Sequence, residues 1–135
     1  MLMIIVIIKM KALPEKCLEL KQTLLALIEP IRKMKGCLSH NIFLDIENEN
    51  ILSLIEEWES RKDLDNHLQS EKFTLLMGTR YLLSRPLEIT MNEVSHSSGW
   101  EAVEAVGGRW AVRVLGSEVQ GFIGFRCKVS AWPLI

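Results

Sequence analysis

Eight successive residues near the start of the chain, Met1-Leu2-Met3-Ile4-Ile5-Val6-Ile7-Ile8, carry no polar side chain. A strand that lacks polar alternation is one covered on both faces. Lys9 and Lys11 cut the run well short of a bilayer's thickness, no basic segment precedes it and no small-residue cleavage site follows, so it reads as a strand and not as a signal sequence or membrane anchor. Pro14 then suits the first turn of a helix, with Glu15 beside the positive end of the dipole. Apolar residues recur three or four apart at Cys17, Leu20, Leu24, Leu27, Ile31 and Met34, which predicts a long amphipathic helix. Pro30 is expected to kink it. Arg32, Lys33 and Lys35 suit its negative end, and Gly36 can supply a left-handed cap.

The period then changes from 3.6 to 2. Leu38, His40, Ile42, Leu44 and Ile46 share one parity, as do Leu52, Leu54, Glu56 and Trp58, and the polar stretch Glu47-Asn48-Glu49-Asn50 between them predicts a hairpin turn. Ser60 is placed to cap a short helix that sets Leu64, His67 and Leu68 on one face. A second helical stretch carries Phe73, Leu76, Met77, Tyr81 and Leu82 and ends at Arg85-Pro86. Leu87 to Val94 alternates again, with Leu87, Ile89 and Met91 opposite Glu88, Thr90 and Asn92. The order β, α, β, β, α, β predicts an α+β, ferredoxin-like split βαβ domain: an antiparallel sheet with helices on one face. Because the first strand is apolar on both sides, a second copy's sheet is expected on the open face, giving a homodimer.

A chain of 135 residues with 48% apolar and 24% charged residues suits one folded core. Its formal net charge of -1 and pI near 6.3 provide no footprint for a polyanion, so no nucleic acid partner is expected. Cys17, Cys37 and Cys127 are scattered and odd in number, which reads as free thiols in a reducing cytoplasm. His40, His67 and His96 have no metal-ligand spacing, so no metal is expected. Gly107-Gly108 and the Gly121, Gly124 pair lack the pattern and context of a phosphate cradle, and no nucleophile-elbow motif is present.

Five stretches in order, Glu29-Pro30, Gly36-Cys37-Leu38-Ser39, Glu56-Glu57-Trp58-Glu59-Ser60, Leu64-Asp65-Asn66-His67-Leu68-Gln69-Ser70 and Phe73, closely resemble the antibiotic biosynthesis monooxygenase domain, including its quinol monooxygenase members. The resemblance runs over about residues 2 to 94. It implies a dimeric α-β barrel of ferredoxin-like subunits, with a pocket between sheet and helices. Several members oxygenate aromatic hydroquinones without flavin, haem or metal, so no cofactor is expected and the implied partners are a small aromatic molecule and dioxygen. Other members isomerise sugar-like signals or degrade haem. The haem-degrading members use a histidine on the second helix, whose place here falls at Met77, and an asparagine on the first strand, which this strand lacks; haem degradation is therefore disfavoured. A dimeric binding protein without turnover and an isomerase of a small hydroxycarbonyl are the competing functions.

Candidate chemistry follows from residues and resemblance together. Trp58 stands where the family has a tryptophan, as a core anchor or as a wall for a planar substrate. His67 matches the family's histidine and is the first choice for a base that takes a phenolic proton from a pocket face, against a structural tie to a backbone carbonyl. His40 shares its parity with apolar residues and is expected in a covered layer, as a satisfied core histidine or, with His67 and Trp58, as a catalytic residue. Glu56 can orient a histidine or accept backbone bonds, since a buried carboxylate needs a partner. Phe73, Met77 and Tyr81, at helical spacing, are the expected far wall of a pocket facing Trp58.

Residues 95–135 hold six of the eight glycines and three of the four tryptophans, Trp100, Trp110 and Trp132, and form an extension beyond a 1–94 domain. A short helix is expected over Trp100 to Val106. Arg109 to Leu115 and Val119 to Val129 would make an appended hairpin; a poorly ordered tail and a fragment of a second module are the alternatives.

Overall fold

The fold is described from a computed structural model over residues 3–107. Its elements run β1 (Met3–Lys11), α1 (Cys17–Arg32), β2 (Cys37–Leu44), β3 (Ile51–Trp58), α2 (Arg61–Leu68), α3 (Glu71–Gly78), β4 (Glu88–Val94) and α4 (Trp100–Val106), with short 3-10 turns at Pro14–Lys16 and Thr79–Leu82. The strands form one antiparallel sheet in the order β2-β3-β1-β4. This is the ferredoxin-like α+β fold that the alternating periods predict. The chain separates into two units, Met1–His96 and Ser97–Ile135, of which the first contains the whole sheet.

Each strand residue's parity decides what it touches. Ile4, Val6, Ile8 and Met10 of β1 stand opposite Trp58, Glu56, Leu54 and Leu52 of β3, and all eight are sealed beneath the helices. The core is completed by Cys17, Leu20, Leu24, Leu27 and Ile31, the stripe that the 3.6 period assigns to α1, together with Leu64 and Leu76. On the other face Ile5 and Ile7 are only half-buried within the protomer, so β1 alternates in burial although it does not alternate in polarity.

Three boundaries differ from the sequence reading, each for a local reason. A β-bulge between Cys37 and Ser39 pushes Leu38 out of the ladder, and it is 52% exposed instead of sharing the covered side with His40. Ile46 is 99% exposed because β2 ends at Leu44, where the Asp45 carboxylate accepts the Glu47 and Asn48 amides and turns the chain. The second helical stretch stops being α-helical at Gly78 and continues as a 3-10 turn, with the Thr79 hydroxyl donating to the Leu76 carbonyl at 2.6 Å.

Helix starts are as the caps dictate. Ser60 Oγ accepts the Asp63 amide at 3.1 Å to open α2, and Ser70 Oγ accepts the Phe73 amide at 3.3 Å to open α3. α4 is closed by Gly107 at φ +70°; the hairpin expected over 109–129 lies outside the described residues. Among those residues no helix is long and apolar enough to cross a membrane.

Gly36 fixes how α1 returns to the sheet. Its φ of +84° is left-handed, its carbonyl accepts the Glu59 amide at 2.8 Å, and an added Cβ would fall on the Asp63 carboxyl group. Gly36→Ala is therefore expected to lower stability by roughly 3 kcal/mol, from backbone strain plus displacement of a buried side chain. Urea denaturation measures it, and a loss below about 0.5 kcal/mol would show that the Gly36–Asp63 contact is slack.

Candidate functional site

Strand period places a carboxylate inside the protein. Glu56 and Trp58 share the parity of Leu52 and Leu54 and face the helices, while Glu57 between them faces the open side, where it accepts the Ser39 hydroxyl at 2.9 Å. The ladder sets His40 of β2 opposite Glu56. α2, launched by the Ser60 cap, lays His67 over the same spot. Four side chains from three elements thus meet in a closed layer, with His40, Glu56, Trp58 and His67 each at 0–1% exposure.

The carboxylate is the hub. Trp58 Nε1 donates to Glu56 Oε1 at 3.0 Å, while Oε2 lies 3.1 Å from His40 Nδ1 and 3.6 Å from His67 Nε2. The two imidazole approaches are close but not aligned as linear hydrogen bonds. Burial alone would push this carboxyl up, but hydrogen bonding with His40, His67 and Trp58 and the charge of His67 outweigh it, holding Glu56 down at about 2. Glu56 is therefore an anion throughout the physiological range.

His67 is boxed in. Its ring stacks on Trp58 at 4.7 Å and 23°, Phe73 meets it edge-on at 5.4 Å, and its Nδ1 lies 3.4 Å from Met34 Sδ. Within the protomer these groups, and not an open pocket face, surround His67, which is 0% exposed. Met77 is half-buried against the core. Tyr81 does not face Trp58: it is 74% exposed, with the Arg80 guanidinium 4.7 Å over its ring and donating to its hydroxyl at 3.0 Å. The 3-10 turn explains this, since three residues per turn rotate Tyr81 off the stripe that Phe73 and Met77 share.

His40 also borders a cavity of about 270 Å³ at the β2 edge, lined with it by Arg32, Cys37, Leu38, Ser39 and Asn41. Arg32 spans the edge, Nε donating to the His40 carbonyl at 3.0 Å and Nη2 to Asn41 Oδ1 at 3.0 Å. Burial, and next the Glu56 charge, push the Cys37 thiol up, while Arg32 pulls it down. Sequence reasoning missed Arg32 and Met34: the first looks like a cation at a helix end, the second like one more apolar stripe position. Among the described residues no group of three or more His, Cys, Asp or Glu is disposed to hold a metal, since both imidazoles turn to the carboxylate oxygen itself.

A family model described as antibiotic biosynthesis monooxygenase matches residues 3–77. An uncharacterized protein of Synechocystis, sll1783, is 31% identical over 84 residues, 62% of this chain. The matched part spans about half, 55%, of that relative's length. Among solved structures, a conserved protein from Methanosarcina mazei is 32% identical with a TM-score of 0.65, covering 68% of this chain and 92% of its own. Rv0793 from Mycobacterium tuberculosis is 26% identical with a TM-score of 0.66, covering 72% and 99%. A structure named antibiotic biosynthesis monooxygenase is 24% identical with a TM-score of 0.64, covering 69% and 99%, a likeness of fold.

Two outcomes follow from the buried cluster. The Glu56 carboxyl has a folded value of about 2 against an ordinary 4.5, so its ionised form stabilises the fold above about pH 4.5, and that contribution is lost as pH falls toward 2. A shift of this size corresponds to roughly 3 kcal/mol. Urea midpoints measured across that window should fall more steeply for wild type than for Glu56→Gln, and parallel curves would show that the carboxylate is not held this way. His67→Ala is expected to cost roughly 3 kcal/mol, the loss of a stacked, fully buried ring. An unchanged midpoint would place the ring outside the core.

Proposed function

The chain belongs to the antibiotic biosynthesis monooxygenase family, and on that premise we propose that it is a monooxygenase of a small aromatic phenol or hydroquinone, with the substrate itself as reductant. The observation that supports this most is the buried anion Glu56 between two imidazoles, His40 Nδ1 at 3.1 Å and His67 Nε2 at 3.6 Å. An imidazole of this cluster takes the phenolic proton, and the Glu56 charge neutralises the imidazolium that forms. The phenolate passes an electron to dioxygen. The resulting radical pair joins through a new C–O bond at an unsubstituted ring carbon, para to the oxygen in a simple phenol and ortho to it in a hydroquinone. Loss of that carbon's hydrogen as a proton then breaks the O–O bond, and the phenol plus dioxygen become a quinone plus water. The protein's contribution is orientation, proton transfer and exclusion of water around the phenolate.

The working form in this proposal is a homodimer. Ile5, Ile7 and Ile55 are half-buried and Phe43 is exposed on the sheet face away from the helices, an apolar surface of the kind that a second sheet covers. Free Cys17 and Cys37 suit a reducing compartment, the cytoplasm.

Oxygen uptake matched to absorbance change, over a panel of one- and two-ring hydroquinones, should exceed the enzyme-free rate. Glu56→Gln should lower kcat roughly 10²- to 10⁴-fold, as loss of general-base function does. No uptake above background with any of the panel would leave a binding protein without turnover. Light scattering on dilution should give twice 15.5 kDa, falling toward the single-chain mass in Ile7→Asp; a folded wild-type monomer at micromolar concentration would end the dimer proposal.

A further inference from the structure

Resting on the monooxygenase reading, we propose that the substrate is a single-ring phenol bound in the β2-edge cavity, not against the Phe73 and Met77 side, and that His40 is its base. Both imidazoles are buried, His40 at 1% and His67 at 0% exposure, and what separates them is the cavity that His40 borders and His67 does not. His67 is 0% exposed, with Trp58 on one ring face, Phe73 at its edge, Glu56 at Nε2 and Met34 at Nδ1. Both of its nitrogens already face acceptors, and a phenol would have to displace part of the core to reach either one.

His40 combines the same carboxylate with an opening. Its Nδ1 turns to Glu56 Oε2, its ring is buried, and it borders the cavity shared with Arg32, Cys37, Leu38, Ser39 and Asn41. With Nδ1 turned to the carboxylate at 3.1 Å, Nε2 is the nitrogen left to take the proton, the carboxylate-oriented arrangement of a general base. The phenolic proton moves from oxygen to His40 Nε2, and the imidazolium gains the Glu56 counter-charge. His67 then acts as a positioning residue, holding the far side of the same carboxylate oxygen.

The cavity also suits the phenolate. Arg32 is fixed by bonds to the His40 carbonyl, to Asn41 Oδ1 and to Glu29 Oε2 at 3.2 Å, so its charge stands at the cavity without reorganisation. That charge already reaches the neighbouring Cys37 thiol. Leu38, pushed out by the bulge, adds an apolar side for a ring. At about 270 Å³ the space lies just below the usual range of ligand pockets, about 300 to 1,000 Å³, which favours one ring over a polycycle.

The probe is 4-nitrophenol, which does not need to turn over and whose phenolate absorbs visible light. Titrated into the full, isotope-labelled chain, it should shift the backbone amides of Arg32 and Cys37 to Asn41 saturably. It should bind as phenolate at a pH where it is neutral in solution. Asn41→Trp, at an exposed position, should fill the cavity and weaken binding about tenfold or more. In His40→Gln the bound probe should remain neutral. Shifts centred on Phe73 to Met77, no saturable shift, or binding by Asn41→Trp within twofold of wild type would each overturn the proposed site. The oxygen-uptake assay fails or succeeds independently: a map on Cys37 to Asn41 without uptake refutes the oxygenase and keeps the cavity, whereas uptake with a map elsewhere does the reverse.

Discussion

Burial of the Glu56 carboxylate is the constraint around which the sheet and helices are arranged. An isolated carboxylate moved out of water loses several kcal/mol or more of solvation, so it must be compensated where it lies or protonate. Here the compensation comes from three directions: the indole N–H of Trp58 on the same strand, His40 on the neighbouring strand, and His67 on α2. Removing Trp58 leaves Oε1 without its donor, and removing either histidine leaves Oε2 with one imidazole where it had two, inside the core that holds Ile4, Val6 and Leu64. A polar group this expensive makes the relative placement of β2, β3 and α2 far more specific than aliphatic packing alone would.

The surrounding features serve that placement. Ser60 caps α2 two residues after Trp58, so the helix starts directly above the strand end and His67 returns over the indole. Asp63, on the first turn of α2, fills the space left by the missing side chain of Gly36, which ties the chain after α1 to the chain before α2. Arg32, from the last turn of α1, reaches the carbonyl of His40 and so fixes the strand residue that faces Glu56. α1 thereby acts on the cluster through the backbone carbonyl of His40.

The fold was legible because its signals are periodic and local. The α1 stripe, the Leu52 to Trp58 parity and the Ser60 cap each follow from spacing that survives in any tertiary context, and they assign the inward side correctly. What was not legible depends on turns that the pattern cannot time. Tyr81 continues a helical spacing on paper, but the chain tightens to a 3-10 turn after Gly78 and the ring leaves the stripe. Of the site, His40, Glu56, Trp58 and His67 were all recognisable as inward polar or aromatic residues. That Glu56 could orient a histidine was among the expectations; that it faces both was not, because the strand partners His40 and Glu56 are sixteen positions apart and joined by register alone.

That register depends on one extra residue. Cys37 stands opposite Trp58, yet Ser39 stands opposite Glu57, so the bulge inserts Leu38 between two otherwise regular stretches. Continued without it from the Cys37 pair, the ladder would set Ser39 opposite Glu56 and turn His40 to the open face, because strand side chains alternate strictly. A hydroxyl in place of the imidazole would leave the buried carboxylate with one fewer group able to carry positive charge. The bulge thus does two things at once: it aims His40 at Glu56, and it pushes Leu38 outward to line the cavity beside that same imidazole. The geometry at this edge is a property of the backbone register before it is a property of any side chain, which is why a parity count from Leu38 places His40 inward and still misplaces Leu38 itself.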